Sequence, residues 1–191
     1  MKRCSWTGDD PLLIDYHDKE WGVPLHDDRK QFEFISMEVM QCGLSWLTVL
    51  RKREALRLAF DGFDPSKVAL YDEPRVEEIM KVEGIIRSPR KIRAIINNAK
   101  VFLKIQEEFG SFSSYLWQFT DNRIVEYPGH ADGSVTIAKN DLSDRVSSDL
   151  KKRGFSYLGS ITVYSHLQAA GIINDHHASC FRYQQSNELP K

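Results

Sequence analysis

Apolar side chains recur every three or four residues along most of this chain, which is the spacing of one face of an α-helix. The clearest run follows Ser88-Pro89, a helix-start signal, and its apolar positions continue to about Gly110. Weaker runs predict helices over residues 29–42, 46–60, 73–84, 142–154 and 160–171, with caps at Ser45 and Ser160 and a further start at Asp64-Pro65. Because alternation with a period of two residues is scarce, the pattern predicts an all-α fold.

Two segments lack the helical pattern. Residues 121–140 contain Pro128, Gly129 and Gly133, and they predict a surface loop that could include a short hairpin. The polar residues 184–191 predict a disordered tail. We therefore expect residues 1–183 to form a single domain of two closely packed helical lobes.

Composition narrows the class of protein. The chain has 191 residues, 41% of them hydrophobic, and is long enough to bury a sizeable core. It has three cysteines, no apolar stretch at its start and no apolar run of about 20 residues. These features predict a cytosolic protein without a membrane anchor, and nothing in the pattern suggests more than a monomer.

The net charge and the distribution of charge lead to different expectations about nucleic-acid binding. The formal net charge of -1 is not typical of a DNA-binding protein, which would often be basic overall. Positive side chains nevertheless cluster at residues 51–53, 87–93 and 151–153. The clusters could form one surface that faces DNA phosphates, or they could be three solvated helix ends, where cations are favourable.

A metal site is suggested by cysteine and histidine pairs near the two ends of the chain. Cys4 and His17 lie near the start, and His176 and Cys180 lie near the end with three residues between them. The second pair shares one face of a helical turn, whereas His177 would point about 100° away. Two thiolates and two imidazoles make a closed, structural zinc site. The alternative is that both cysteines are ordinary free thiols.

The segment at about residues 74–105 has the layout of a helix-hairpin-helix. Its turn includes Gly84, Ile85, Ile86 and Arg87. Such a turn can present backbone N–H groups and a helix N-terminus to a DNA phosphate. A plain pair of antiparallel helices would have the same pattern.

Glu38 lies in a predicted helix that is apolar nearly all round and should be buried. A buried carboxylate is either paired with a cation or placed at a pocket. Aromatic residues concentrate in the same part of the chain, namely Trp6, Tyr16, Trp21 and Trp46. Aromatic rings beside a carboxylate are what a flipped-out nucleobase requires, although most single aromatics are simply core.

The motifs together resemble the constitutive 3-methyladenine DNA glycosylase family. The likeness extends from Cys4 to Cys180 in the same order. It is carried by Cys4-Ser5-Trp6, Asp10-Pro11, Tyr16-His17-Asp18, Glu20-Trp21-Gly22, Glu38, Gln41, Gly43-Leu44-Ser45-Trp46, Lys52-Arg53-Glu54, Lys151-Lys152-Arg153-Gly154-Phe155, Asn174-Asp175-His176 and Cys180.

The resemblance implies an all-α helix-hairpin-helix glycosylase that releases 3-methyladenine from alkylated double-stranded DNA in the bacterial cytosol, associated with the nucleoid while bound to DNA. A zinc ion on the four Cys and His residues would join the termini. Glu38 and Tyr16 would hydrogen-bond the excised base, and Trp46 and Trp6 would stack on it. Trp21 would line the pocket. Gly43 and Leu44 would fill the gap in the duplex, and Gly84 to Arg87 would contact the backbone.

Many helix-hairpin-helix glycosylases resemble one another in placing a catalytic aspartate some 20 residues past the hairpin glycine, and residues 101–114 of this chain contain none. Alkylation at N3 makes adenine cationic, so the base can depart neutral without a general acid. The sequence therefore favours a monofunctional hydrolase that recognises the base through Glu38. The alternatives are a zinc-containing DNA-binding module without catalysis, a metal-dependent hydrolase and a helical bundle that binds a small ligand.

Overall fold

The computed structural model describes residues 1–127 and 137–188, and helices dominate this part of the chain. The helices are α1 (Pro11–Lys19), α2 (Asp28–Gln41), α3 (Trp46–Ala59), α4 (Pro65–Val68), α5 (Glu73–Lys81), α6 (Pro89–Phe109), α7 (Phe112–Trp117), α8 (Asp141–Arg153), α9 (Ser160–Ala169) and α10 (Phe181–Glu188). The predicted all-α class is confirmed. Within the described ranges no helix is both long and apolar enough to cross a bilayer.

Helix α2 lies at the centre of the fold. Every residue from 31 to 40 is buried, and the helix packs against α3, α6, α7 and α9. A single hydrophobic cluster extends from Tyr16 of α1 to Ile173 near the C-terminus. Because α2 has no solvent-facing side over this stretch, any polar residue on it must find a partner or lie at a pocket.

Helix starts were predicted well where a cap precedes the apolar run. The Ser45 side chain accepts from the Thr48 N–H at the start of α3, and Asp64 caps α4 in the same way. The prediction for Ser160 was wrong: Gly159, in an extended conformation, is the cap residue, and Ser160 is already the first helical residue. An extended backbone at Gly159 leaves Ser160 no capping position.

The structure also differs from what was expected for the loop at residues 121–140 and for the C-terminal tail. Val125–Glu126 forms a short strand, β1, which pairs in parallel with β2 (Ile173–Asn174). The described part of the expected loop thus pairs with a distant segment and not with itself, and residues 128–136 of that loop lie outside the described residues. Residues 184–188, expected to be disordered, continue α10, whose first turn is anchored by the Phe181 N–H donating to the Lys2 carbonyl. Residues 189–191 of the expected tail are not among those described.

Candidate functional site

Four buried side chains from the two ends of the chain converge on one point. Cys4 and His17 meet His176 and Cys180, and their ligand atoms all lie within 4.8 Å of one another. The Cys4 Sγ is 3.6 Å from the His176 Nδ1, and the Cys180 Sγ is 3.4 Å from the His17 Nε2. The structure therefore brings together all four predicted ligands, and the group could hold a metal ion.

The distances fit tetrahedral coordination. Metal–sulfur bonds of about 2.3 Å and metal–nitrogen bonds of about 2.0–2.1 Å place tetrahedral ligands roughly 3.5 Å apart. The His17 Nδ1 lies 2.8 Å from the Asp18 carboxylate, which also accepts from Arg3. A carboxylate behind a ligating histidine fixes the ring orientation and the tautomer. Asp18 and Arg3 are functional candidates that the sequence analysis did not single out, although Asp18 directly follows His17.

Gly22 allows the chain to pass close to the metal ligands. Its φ is +77°, and an added Cβ would lie 2.5 Å from the His176 Nε2. Only glycine combines this backbone conformation with so close an approach. The preceding residue, Trp21, packs its ring 4.5 Å from that of His176. Trp21 therefore packs directly against the group of Cys and His side chains, a contact that its predicted role in lining a pocket did not include.

A series of aromatic rings connects the metal ligands with Glu38. Ring centres are 5.1 Å apart between Trp21 and Trp6, 6.5 Å between Trp6 and Tyr16, and 5.2 Å between Tyr16 and Trp46. Trp6 is 39% exposed, whereas Tyr16 is buried. The structure thus brings together the four aromatics that the sequence analysis grouped, with Trp6 at the solvent edge.

Glu38 is 4% exposed, and its carboxyl group forms no hydrogen bond or ion pair with any residue that the structure describes. This excludes the alternative of a structural pair with a described lysine or arginine. Burial alone raises the pKa of the Glu38 carboxyl to about 8. Burial, and then the nearby Glu38 carboxyl, hold the pKa of Tyr16 well above its usual value. The Nε1 of Trp46 is likewise a buried donor without an acceptor in the described ranges.

The turn after α2 carries Gly43 and Leu44 at the surface. Gly43 has a φ of +81°, and the Leu44 side chain is 38% exposed. The Gln41 side chain donates to the Leu44 carbonyl at 2.8 Å. The Lys91 Nζ, from the first turn of α6, donates to the carbonyls of Met40 and Cys42. The turn is therefore held against the start of α6.

The turn between α5 and α6 combines side chains that pack into the protein with one that is exposed to solvent. Gly84 has a φ of +80°, and its carbonyl accepts from the Lys52 Nζ of α3 at 2.9 Å. Ile85 is buried and Ile86 is half-buried against the core, whereas Arg87 is exposed. Only backbone groups of the two isoleucines could therefore face a phosphate.

Many of the basic side chains that were expected to face DNA instead bind carbonyl or carboxylate groups of the protein itself. Lys52 and Lys91 donate to backbone carbonyls, and Arg53 is buried between two glutamates. Arg51, Arg93 and Arg153 pair with carboxylates. Within the three clusters, the cations that remain exposed without an ion pair to any described residue are Arg87, Arg90, Lys151 and Lys152.

The ion pairs of Arg53 were missed by the sequence analysis. Arg53 donates to Glu20 and to Glu33. The motifs quoted above include Glu20 and Arg53, but they do not indicate that the two residues form a pair. No spacing rule could have paired them, because the three residues lie on or beside three different helices.

Comparisons with known proteins support one family. Residues 6–183 match the family model described as methyladenine glycosylase. The chain is 43% identical over 183 residues to DNA-3-methyladenine glycosylase 1 of Escherichia coli (strain K12), covering 96% of this chain and 97% of that one. A crystal structure of 3-methyladenine DNA glycosylase I matches with a TM-score of 0.88 at 43% identity, covering 94% of this chain and 98% of that one.

A second solved structure is of a tyrosine-to-phenylalanine variant of 3-methyladenine DNA glycosylase I in complex with 3-methyladenine. It matches with a TM-score of 0.91 at 36% identity and covers 100% of this chain and 99% of that one.

Proposed function

For this chain, which belongs to the methyladenine glycosylase family, we propose hydrolysis of the N-glycosidic bond of 3-methyladenine in alkylated DNA, with the free base as product. The family makes the chain an enzyme of DNA repair. One observation in the structure carries the assignment of the site: Glu38 is a buried carboxyl group without a described partner, near Tyr16, whose ring lies 5.2 Å from that of Trp46. A DNA-binding module without catalysis would have no use for such a group.

The lesion itself explains how the site can act without a general acid. Methylation at N3 puts a positive charge on the adenine, and cleavage of the glycosidic bond leaves the base neutral. The enzyme then has to extrude the nucleotide, recognise the base and stabilise a transition state with positive charge on the sugar. Water completes the hydrolysis at the sugar carbon.

Glu38 suits a cationic base for an electrostatic reason. Its pKa of about 8 keeps the carboxyl largely protonated at neutral pH in the free protein. An approaching cation favours the ionised form, so the carboxylate charges as the base enters. It then accepts a hydrogen bond from the exocyclic amine of adenine. Guanine presents a carbonyl at that position and would leave the carboxylate without a donor.

The aromatic side chains and the surface turns complete this proposal. Trp46 and Trp6 stack on the flipped base, Tyr16 hydrogen-bonds it, and Trp21 lines the pocket. At the surface, Leu44 and Gly43 enter the space that the nucleotide leaves in the duplex. Leu44 is suited to that role because its apolar side chain is exposed on a turn that Lys91 and Gln41 hold.

DNA contacts are assigned to the turn between α5 and α6. Gly84 to Arg87 and the first turn of α6 would present N–H groups and a positive helix end to the phosphate backbone. The exposed Arg87 and Arg90 would add charge there, whereas Lys91 is already committed to α2.

A zinc ion on Cys4, His17, His176 and Cys180 would have a structural role. The donor set and its spacing fit zinc, and four protein ligands leave no open position for substrate. Bound there, the ion would join the N-terminal segment to the C-terminal one. A chelator should therefore unfold the protein, whereas the hydrolase alternative predicts loss of activity from a protein that stays folded.

The direct test is to incubate the protein with N-methylated duplex DNA and identify the released base by chromatography. We expect free 3-methyladenine, little methylated guanine, and no release from oxidised or deaminated DNA. Glu38→Gln should reduce excision strongly while leaving affinity for undamaged duplex unchanged. Full excision by that variant would remove Glu38 from the mechanism.

A further inference from the structure

The proposed base pocket is assembled from three helices. Tyr16 lies on α1, Glu38 on α2 and Trp46 on α3. Its geometry therefore depends on how these helices are held against one another. A displacement of about 1 Å in such a site can lower activity about 100-fold.

One buried guanidinium contacts all three elements. Arg53 of α3 is 8% exposed, and its Nε donates to the Glu33 carboxylate of α2 at 2.6 Å. Its two terminal nitrogens donate to the carboxylate of Glu20, the residue that ends α1, at 2.6 and 2.8 Å. Lys30 of α2 also lies 3.3 Å from Glu20. Arg53 thus forms a bidentate ion pair with Glu20 at the end of α1 and a single hydrogen bond with Glu33 of α2.

Each contact lies close to a pocket residue along its helix. Glu20 is one turn beyond Tyr16, and its N–H donates to the Tyr16 carbonyl at 2.9 Å. Glu33 precedes Glu38 by about 7.5 Å of helix, and Arg53 follows Trp46 by about 10.5 Å, at a rise of about 1.5 Å per residue. The guanidinium also lies 5.7 Å from the centre of the Phe34 ring, which in turn contacts Tyr16 at 6.2 Å.

We propose that Arg53 is a positioning residue for the base pocket, and that it sets the register of α1 against α2 and α3 through Glu20 and Glu33. This inference rests on the proposed function of the pocket. Arginine is needed because its planar fork binds two carboxylates at fixed angles, whereas the single ammonium of lysine cannot.

The neighbouring Arg57 provides a matched control. It lies one turn further along α3 and donates to the same Glu33 carboxylate at 2.7 Å and to Glu54 at 2.6 Å. Among the residues that the structure describes, Arg57 forms no ion pair or hydrogen bond with α1. Loss of Arg57 therefore removes two ion pairs from the same network and leaves the link to Tyr16 intact.

The test compares Glu20→Ala, Arg53→Lys and Arg57→Met with the wild-type protein. Glu20→Ala removes the contacts of Arg53 and Lys30 with the end of α1 and leaves Arg53 paired with Glu33, so it should fold even if Arg53→Lys does not. The measurements are the dissociation constant for free 3-methyladenine, from quenching of tryptophan fluorescence, kcat and KM on methylated duplex, affinity for undamaged duplex, and Tm.

We expect Glu20→Ala and Arg53→Lys to weaken binding of the free base about tenfold or more, with unchanged affinity for undamaged duplex. Arg57→Met should change base affinity less than twofold, whatever its effect on Tm. Unchanged base affinity in Glu20→Ala, or an equal loss in Arg57→Met, would overturn the inference. A wild-type protein that releases no 3-methyladenine would instead refute the proposed function.

Discussion

Replacing Glu38 by glutamine should stabilise the protein by an amount that grows with pH. The carboxyl group of Glu38 is buried without a described partner, and its pKa rises from 4.5 to about 8 on folding. The folded state therefore holds this proton more tightly than the unfolded state does. Stability from this group is greatest below pH 4.5, falls as the pH rises toward 8, and is constant above that value.

The size of the effect on the free energy of unfolding follows from the shift of the Glu38 pKa. One pKa unit corresponds to about 1.4 kcal/mol, so full ionisation of the buried carboxyl costs about 5 kcal/mol. Between pH 5.5 and 9 the free energy of unfolding should fall by about 3 kcal/mol from this group alone. For a chain of this length that is a change in Tm of about 6–12 °C.

Thermal unfolding followed by circular dichroism measures the difference between wild type and Glu38→Gln at each pH. Taking the difference removes pH effects common to both proteins, including those of the metal ligands. Glu77→Gln, which removes an exposed carboxylate on α5, is the matched control for the loss of one carboxylate at the surface. A difference between wild type and Glu38→Gln that stays constant from pH 5.5 to 9 would refute the claim that this carboxyl is buried without a partner.

Three further changes test other parts of the structure. Gly22→Ala would place a Cβ 2.5 Å from the His176 Nε2, so metal content by atomic absorption and Tm should both fall. His166 is fully buried with neither ring nitrogen bonded among the described residues, and burial lowers its pKa to about 3. Wild type should therefore lose about 2 kcal/mol of stability between pH 7 and 5 relative to His166→Phe, measured by urea unfolding. Lys91→Met should free the turn that carries Leu44, so that excision from duplex falls while affinity for the free base, measured by fluorescence, is unchanged.

The parts of the fold that could be predicted are those with local signals. Helix α6 has a Ser-Pro start, a long apolar face and a glycine at its end, and it was predicted almost to the residue. Helix α1 has the same kind of start, because Asp10 accepts from the Leu12 N–H and Pro11 is the first helical residue. The sequence analysis did not predict this helix, because its nine residues show only a weak apolar face.

The parts that could not be predicted depend on contacts between distant segments. The pairing of β1 with β2 involves two residues on each side, too few for a period-two pattern to show. Lys52 and Lys91 are similar cases, because a lysine that donates to a carbonyl of a distant segment looks in sequence like a lysine that binds phosphate. The convergence of Cys4, His17, His176 and Cys180 was the exception, since the chemistry of this residue set is specific enough to link the two ends of the chain.

Tyr16 is held from both sides along α1, and this explains how the termini contribute to the pocket. The next residue, His17, belongs to the group of four side chains that could hold a metal ion, and Glu20, one turn later, is held by Arg53. A metal ion held by this group would fix α1 to the C-terminal segment, whereas Arg53 links α1 to α2 and α3. Neither contact alone determines both the position and the rotation of a short helix. Under the proposed function, a metal ion in this group would therefore contribute to catalysis by helping Arg53 to place the ring of Tyr16 against Trp46.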